Sequence, residues 1–266
     1  MHTKVHRIEP GSKVHIKDLD PDAKPLCDDK AEGKKQSTAL QQRLGELQEL
    51  LFADHKHKIL VVLQGMDTSG KDGTVRHVMS GMSPAGVRVV SFKKPTSEEL
   101  DHDFLWRVHA KMPGDGEIAV FNRSHYEDVL VVRVHNLVGE KVWGKRYRQI
   151  NEFERTLSAC GTTILKFFLN ISKAEQQKRL QERIDDPKKH WKFQHGDLGE
   201  RKLWDDYMKA YADMLEQTST KCAPWYVVPA NAKWYRNLLV ADVINDALES
   251  LKMEYPKIDL SGEVVE

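Results

Sequence analysis

Between residues 65 and 74 the chain reads Gly65-Met66-Asp67-Thr68-Ser69-Gly70-Lys71-Asp72-Gly73-Thr74. The spacing from Gly65 to Gly70-Lys71 is that of a phosphate-binding loop. Its glycines let the backbone curl so that several N–H groups converge on one anion. A helical pattern opens near Lys71, so its N-terminus adds a partial positive charge and Lys71 a full one. The apolar run from Ile59 to Leu63 reads as a buried parallel strand. Strand, loop and helix therefore follow in the order such a site needs. A glycine turn before a helix can also be purely structural, but the preceding hydrophobic strand favours phosphate binding at Gly65, Thr68, Ser69, Gly70, Lys71, Asp72 and Gly73.

Two carboxylates set this loop apart. Asp72 stands where nucleotide triphosphatases place the Ser or Thr that holds magnesium, and Asp67 sits inside the loop itself. A carboxylate beside bound phosphate repels it strongly at short range unless a cation lies between them or an acceptor group needs orienting. Asp67 is therefore a candidate metal ligand and catalytic group. The competing reading is that it caps the following helix or stabilises the turn, as Asp often does.

Two further stretches carry charge at strand ends. Phe121-Asn122-Arg123-Ser124-His125-Tyr126-Glu127-Asp128-Val129-Leu130 closes a short apolar run, and Asp186-Pro187-Lys188-Lys189-His190-Trp191-Lys192-Phe193 is basic and broken by proline. With the loop, these three stretches resemble the signatures of the polyphosphate kinase 2 family, over roughly residues 40 to 251. The resemblance implies a P-loop kinase-like, three-layer α/β/α fold with a five-stranded parallel sheet and a helical lid. It implies phosphoryl transfer from inorganic polyphosphate to a nucleotide, with Mg2+ (or Mn2+) as the ion and a homodimer or homotetramer as the assembly. Asn122 together with Glu127 is similar to the subgroup that phosphorylates AMP as well as ADP. By the same resemblance the polyphosphate end lies against the loop and lid, and the nucleotide enters from the opposite side.

Bulk properties bound the alternatives. The chain has 266 residues, enough for one substantial α/β domain or two small ones, and its formal charge of +1 excludes a globally basic nucleic-acid binder. Three cysteines, Cys27, Cys160 and Cys222, are far apart and odd in number, which suggests free thiols in a reducing compartment. The first residues lack the apolar core of a secretory signal and no segment has the length to cross a bilayer. A soluble, cytoplasmic protein with no nucleic-acid or membrane partner is expected.

Taken in order, residues 1–38 are rich in Asp, Lys, Pro and Gly and read as an arm that either drapes over the domain or stays mobile. The phosphotransferase domain is expected over 39–253, with a tail over 254–266. Leu40, Leu44, Leu47 and Leu51 mark an amphipathic helix beginning near Ala39, packed on the core or on another subunit. Val87 to Phe92 is a second strand. Thr96 with Glu99 forms a capping box for a helix running through Trp106 and His109, and Glu117 to Phe121 is a third strand ending at Asn122. Helices are expected from His125 to His135 and from Lys145 to Cys160, then a strand from Thr162 to Ile171. Ser172 with Glu175 opens another helix through Ile184. Residues 183–202, interrupted by Pro187, Gly196 and Gly199, are the expected lid, although a solvated basic loop is the bland alternative. Trp204–Thr218 is helical, Trp225–Val228 is the fifth strand, and a helix from Trp234 to Met253 closes the chain. Alternating strands and helices argue for a doubly wound parallel sheet.

Ligands of such sheets bind beyond the carboxyl ends of the strands. Asp67, Asn122 and the loop after Phe92, which carries Lys93 and Lys94, should share one crevice, though a surface role for that lysine pair is nearly as good. Arg123, Arg183 and Arg133 are the candidate phosphate cations, since guanidinium grips phosphate oxygens bidentately; Arg133 could equally be an ordinary helix-surface residue. Lys188, Lys189 and Lys192 would serve the lid, with Lys93, Lys94, Asn122, Glu127 and Arg133 facing the nucleotide. Trp191 and Phe193 are expected to pack the closed lid rather than stack on a base. An ATP-dependent nucleoside or nucleotide monophosphate kinase on the same fold is the alternative function.

Overall fold

The computed structural model describes residues 2–259 and 261. In chain order its elements are α1 (Lys30–Asp54), β1 (Lys58–Gln64), α2 (Lys71–Val78), β2 (Val87–Ser91), α3 (Ser97–Asp101), α4 (Trp106–His109), β3 (Ile118–Asn122), α5 (Val131–Val134), α6 (Glu140–Ala159), β4 (Thr162–Asn170), α7 (Lys173–Asp185), α8 (His195–Lys202), α9 (Trp204–Thr218), β5 (Trp225–Pro229) and α10 (Lys233–Ser250). Every strand pair is parallel and the sheet order is β2-β3-β1-β4-β5. A central strand flanked on both sides and covered by helices on both faces has no solvent side. This is why Ile59–Leu63 is apolar without alternation and wholly buried. Leu63 pairs with Asn122 on one side and Phe167 on the other, so β1, β3 and β4 deliver their carboxyl ends together.

The apolar stripe of α1 is spent inside the chain: Leu44, Leu47 and Leu51 are buried, and the helix packs on α10. The helix starts at Lys30, nine residues before the expected start at Ala39, because the Asp29 side chain accepts from the Glu32 N–H at 2.7 Å and caps it. Gly33 does not break it, since Trp234 occupies the place a side chain would take. The segment before α1 drapes over the edge of the sheet. Ile8 N–H donates to the Trp225 carbonyl at 2.9 Å, Asn170 Nδ2 donates to the Leu19 carbonyl at 2.7 Å, and Val14 is buried.

Three other expectations need correction. Thr96 and Glu99 do form the reciprocal capping box, but α3 stops at Asp101; Asp103 Oδ1 then accepts from Leu105 N–H at 2.9 Å, and that local turn starts α4 afresh. The continuous helix expected from His125 is a 3-10 turn, His125–Asp128, followed by the single turn of α5. Its cause is the core: Tyr126 is fully buried and its hydroxyl donates to Glu154 Oε1 at 2.7 Å. In the expected lid, Gly196 and Gly199 lie inside α8 rather than interrupting it, with the 3-10 turn Pro187–Lys192 between α7 and α8. The loose tail expected after Pro256 lies partly outside the described residues.

Beneath the sheet's carboxyl edge the core holds an ionic knot. Lys166, in mid-β4 and fully buried, donates to Glu154 Oε2 at 2.6 Å, to Tyr126 Oη at 2.7 Å and to the Thr218 carbonyl at 2.8 Å. All three ammonium protons are therefore used.

Candidate active site

The loop after β1 needs backbone conformations that L side chains rarely adopt: φ is 149° at Gly65, 65° at Thr68 and 104° at Gly70. A Cβ on Gly65 would lie 2.8 Å from the Leu169 carbonyl. The Thr68 and Ser69 hydroxyls on this curl are buried with no hydrogen-bond partner in the described chain. Lys71 folds back over the loop, its ammonium 2.7 Å from the Gly65 carbonyl and 3.2 Å from that of Met66. Burial, reinforced by the nearby Arg123 charge, pulls its pKa down to about 8.

Asp67 is not a helix cap; Gly70 occupies that position. Its carboxylate accepts from Arg123 Nη2 at 2.7 Å, and its carbonyl accepts from Gln176 Nε2 at 3.1 Å. Arg123 follows β3 with φ 63°, its N–H donating to the Leu63 carbonyl, so the chain turns sharply and aims the guanidinium back at the loop. Glu127 lies 3.6 Å from the same guanidinium. Burial raises the Glu127 carboxyl above the usual range, opposed by the charges of Arg123 and Lys71. Asn122 Nδ2 donates to Asp72 Oδ1 at 2.5 Å, tying the end of β3 to the first turn of α2. Asp67, Lys71, Asp72, Asn122, Arg123 and Glu127 thus form one cluster.

The other residues singled out from the sequence are distributed more widely. Arg183 donates to Asp197 Oδ2 and to the Lys192 carbonyl, each at 3.0 Å. Burial, with the field of Asp67 adding, raises the Asp197 carboxyl. Lys188 is exposed, Lys189 pairs with Asp186 at 3.2 Å, and Lys192 lies over the Trp191 ring. Trp191 is 76% exposed and does not pack the segment, contrary to expectation. Lys93 and Lys94 are exposed on the loop after β2. Arg133 is engaged away from the cluster: it donates to Asp213 Oδ2 at 2.6 Å and to Tyr147 Oη at 3.1 Å and stacks on Trp143.

Three residues escaped the sequence reading. Arg179 is buried and donates to the carbonyls of Thr68 at 2.9 Å, Ser69 at 3.1 Å, Ala230 at 2.6 Å and Asn231 at 2.9 Å. Arg236 lies under the loop from α10. Tyr211 of α9 is buried, its hydroxyl pKa pushed far up by burial and then by Glu127. The available signal was the spacing Gln176, Arg179, Arg183, a polar stripe at i, i+3, i+7 that faces inward.

Among the described residues no three His, Cys, Asp or Glu side chains form a metal cluster. That donor set fits a hard cation held by one carboxylate, Asp67, and otherwise by substrate phosphates and water, and does not fit a dedicated protein cage.

A family model, polyphosphate kinase 2, matches residues 27–256. The chain is 55% identical over 267 residues to the AMP/ADP-polyphosphate phosphotransferase of Meiothermus ruber, covering 98% of each chain. It is 46% identical to the ADP-polyphosphate phosphotransferase of Rhodopseudomonas palustris, covering 96% of this chain and 92% of that one. The solved structure of polyphosphate kinase 2 from Arthrobacter aurescens TC1 superposes with a TM-score of 0.93 at 49% identity, over 96% of this chain and 92% of that one. These similarities extend over nearly the full length, and the chain belongs to the polyphosphate kinase 2 family.

Proposed function

We propose that this polyphosphate-dependent nucleotide kinase moves the terminal phosphoryl group of inorganic polyphosphate onto ADP and AMP, with Asp67, Lys71, Arg123 and Arg183 as its catalytic residues. The observation that carries the reading is the Asp67 carboxylate, set among phosphate-binding amides and gripped by Arg123 at 2.7 Å. An oxygen of the nucleotide's terminal phosphate attacks the terminal phosphorus of the chain, and the bond from that phosphorus to the bridging oxygen breaks. The attacking oxygen is already ionised near neutral pH, so a strong general base is unnecessary and alignment matters more. Lys71, Arg123 and Arg183 are each held by a protein oxygen in the structure. Substrate binding therefore exchanges those partners for phosphate oxygens rather than recruiting cations from water.

The family's kinases use a divalent metal; magnesium, held by Asp67, is the ion proposed here, and it would screen the carboxylate from the phosphates. AMP as a second acceptor is supported by Asn122 with Glu127 and by the name of the Meiothermus ruber relative. The end of α7, the turn after it and α8 form the proposed lid over residues 183–202, and residues 39–253 the proposed catalytic domain. No helix among the described residues is long and apolar enough to cross a membrane. A cytoplasmic setting is supported by three free cysteines. A homodimer or homotetramer is supported by Trp106 and Val142, half-exposed beside one open surface cavity. The apolar stripe of α1 no longer argues for it.

The deciding experiment mixes the protein with magnesium, ADP and long-chain polyphosphate in the absence of ATP. ATP is expected, and AMP in place of ADP is expected to give ADP and then ATP. An ATP-dependent nucleoside or nucleotide kinase forms nothing from AMP and polyphosphate alone, and any ATP it draws from ADP by disproportionation is independent of polyphosphate; either outcome would overturn the reading.

A further inference from the structure

Arg236, at the start of α10, is 3% exposed, and its guanidinium has an uncommon set of neighbours. Nε and Nη2 donate to Asn237 Oδ1 at 3.1 and 2.8 Å, and Nη1 lies 3.4 Å from the Ser69 carbonyl. Among the described residues no carboxylate pairs with it, whereas Arg179, which binds the same loop and whose positive charge acts on it, has a carboxylate, Glu175, at 2.7 Å. The guanidinium fills the space left by two glycines of the phosphate loop. A Cβ on Gly70 would lie 1.8 Å from Nη1, and one on Gly73 3.2 Å from Nη2. These glycines therefore serve a contact as well as a turn: they let a charged group press against the back of the loop whose front receives the anion.

A buried cation without an anionic partner destabilises the protein that carries it. Natural chains keep such a group where a ligand supplies the missing charge. The Thr68 and Ser69 hydroxyls of the same loop are likewise buried without a hydrogen-bond partner among the described residues. We propose that Arg236 is a positioning residue for the phosphate anion, holding a standing positive charge behind Gly70 and Gly73 that is neutralised only when polyphosphate occupies the loop. Arg179 fixes the loop's carbonyls from one side, and Arg236 supplies unneutralised charge from the other. The inference rests on the reading that the loop binds polyphosphate.

The two ideas separate in one set of measurements on the full chain, using inorganic tripolyphosphate as probe. Arg236→Gln and Arg236→Met are expected to melt no lower than the wild type without anion, and to bind tripolyphosphate about tenfold or more weakly, the weight of one charge at this range inside a protein. Arg236→Lys restores most of the affinity. The KM for polyphosphate rises while the KM for ADP stays within about twofold. A structural guanidinium gives the opposite result. Neutral variants that are destabilised or unfolded, or that bind tripolyphosphate as tightly as the wild type, overturn the role of Arg236. A wild-type protein that does not bind tripolyphosphate at all overturns the phosphate-loop reading itself.

Discussion

Asp67 can sit inside an anion-binding loop because Arg123 takes up its charge, and the strength of that pair fixes what its removal does. The Arg123 side chain is 41% exposed and that of Asp67 20%, so their bond belongs with partly solvated ion pairs, worth roughly 0–1 kcal/mol to the fold. Asp67→Ala is therefore expected to leave the unfolding midpoint nearly unchanged while turnover with polyphosphate and ADP falls by about a thousandfold or more, the scale on which lost preorganised electrostatics act. Near-normal activity in that variant would remove Asp67 from the mechanism. Lys71 gives a second residue-scale test through pH. Burial first, and Arg123 second, pull its ammonium down to about 8, below the ordinary lysine value. A depressed base loses its proton first in the folded state. Folding stability from this group therefore rises between about pH 8 and the ordinary lysine value, while phosphate affinity falls over the same interval because the loop loses a charge. Calorimetry with tripolyphosphate from pH 7 to 9.5 should show binding weakening above pH 8 with proton uptake; a flat profile would mean that Lys71 stays charged throughout. Asp67, Lys71, Asn122, Arg123 and Glu127 were legible in the sequence because each lies within a few residues of a glycine loop or a strand end. Arg179 and Arg236 were not, because what ties them to the loop is backbone carbonyls, those of Thr68 and Ser69, more than a hundred residues away in the chain. Arg133, left open between a phosphate and a helix-surface role, is paired with Asp213, a partner far along the chain that spacing does not reveal.

At the level of elements, the five strands and the long helices followed from apolar runs and caps, whereas the breaks at α3, α4 and α5 did not. Each break is decided by a contact that periodicity does not encode. The clearest is at Tyr126, which is pulled under the sheet by Glu154 of α6 and Lys166 of β4, so that the motif containing Arg123 and Glu127 is a tight turn rather than a helix. The knot at Glu154 thus connects core packing to the geometry of the site. Removing one partner of a buried ion pair leaves the other charge unpaired, at a cost of about 3–5 kcal/mol, whereas replacing both by apolar groups of similar volume is often near neutral. Glu154→Gln is expected to lose stability of that order in urea unfolding, with activity falling as Tyr126 and its neighbours loosen. Glu154→Leu combined with Lys166→Met should recover much of the stability. If the single variant unfolded like the wild type, the pair would not be the anchor described here.

Over the whole molecule, a formal charge of +1 would suggest indifference to a polyanion, yet the positive side chains are not spread evenly. Lys71, Arg123, Arg179 and Arg236 converge on the phosphate loop, and Arg183, Lys188, Lys189 and Lys192 lie on the segment proposed to cover it. Local concentration rather than net charge decides how a charged polymer binds. Polyphosphate carries a dense row of negative charges with condensed counterions, so each phosphate neutralised by the protein releases ions, and affinity falls with salt by the logic that holds for single-stranded nucleic acids. About four such contacts give a slope near −3 in a plot of log affinity against log salt, so raising salt from about 50 to about 200 mM should weaken long-chain polyphosphate binding by about 50-fold. A nucleotide brings far fewer condensed ions, and its KM should change much less over the same range. Titrations of both substrates against potassium chloride would separate the two slopes. Equal, shallow slopes would mean that the lysines and arginines around the loop do not act together on the polymer, and that recognition is confined to the terminal phosphate.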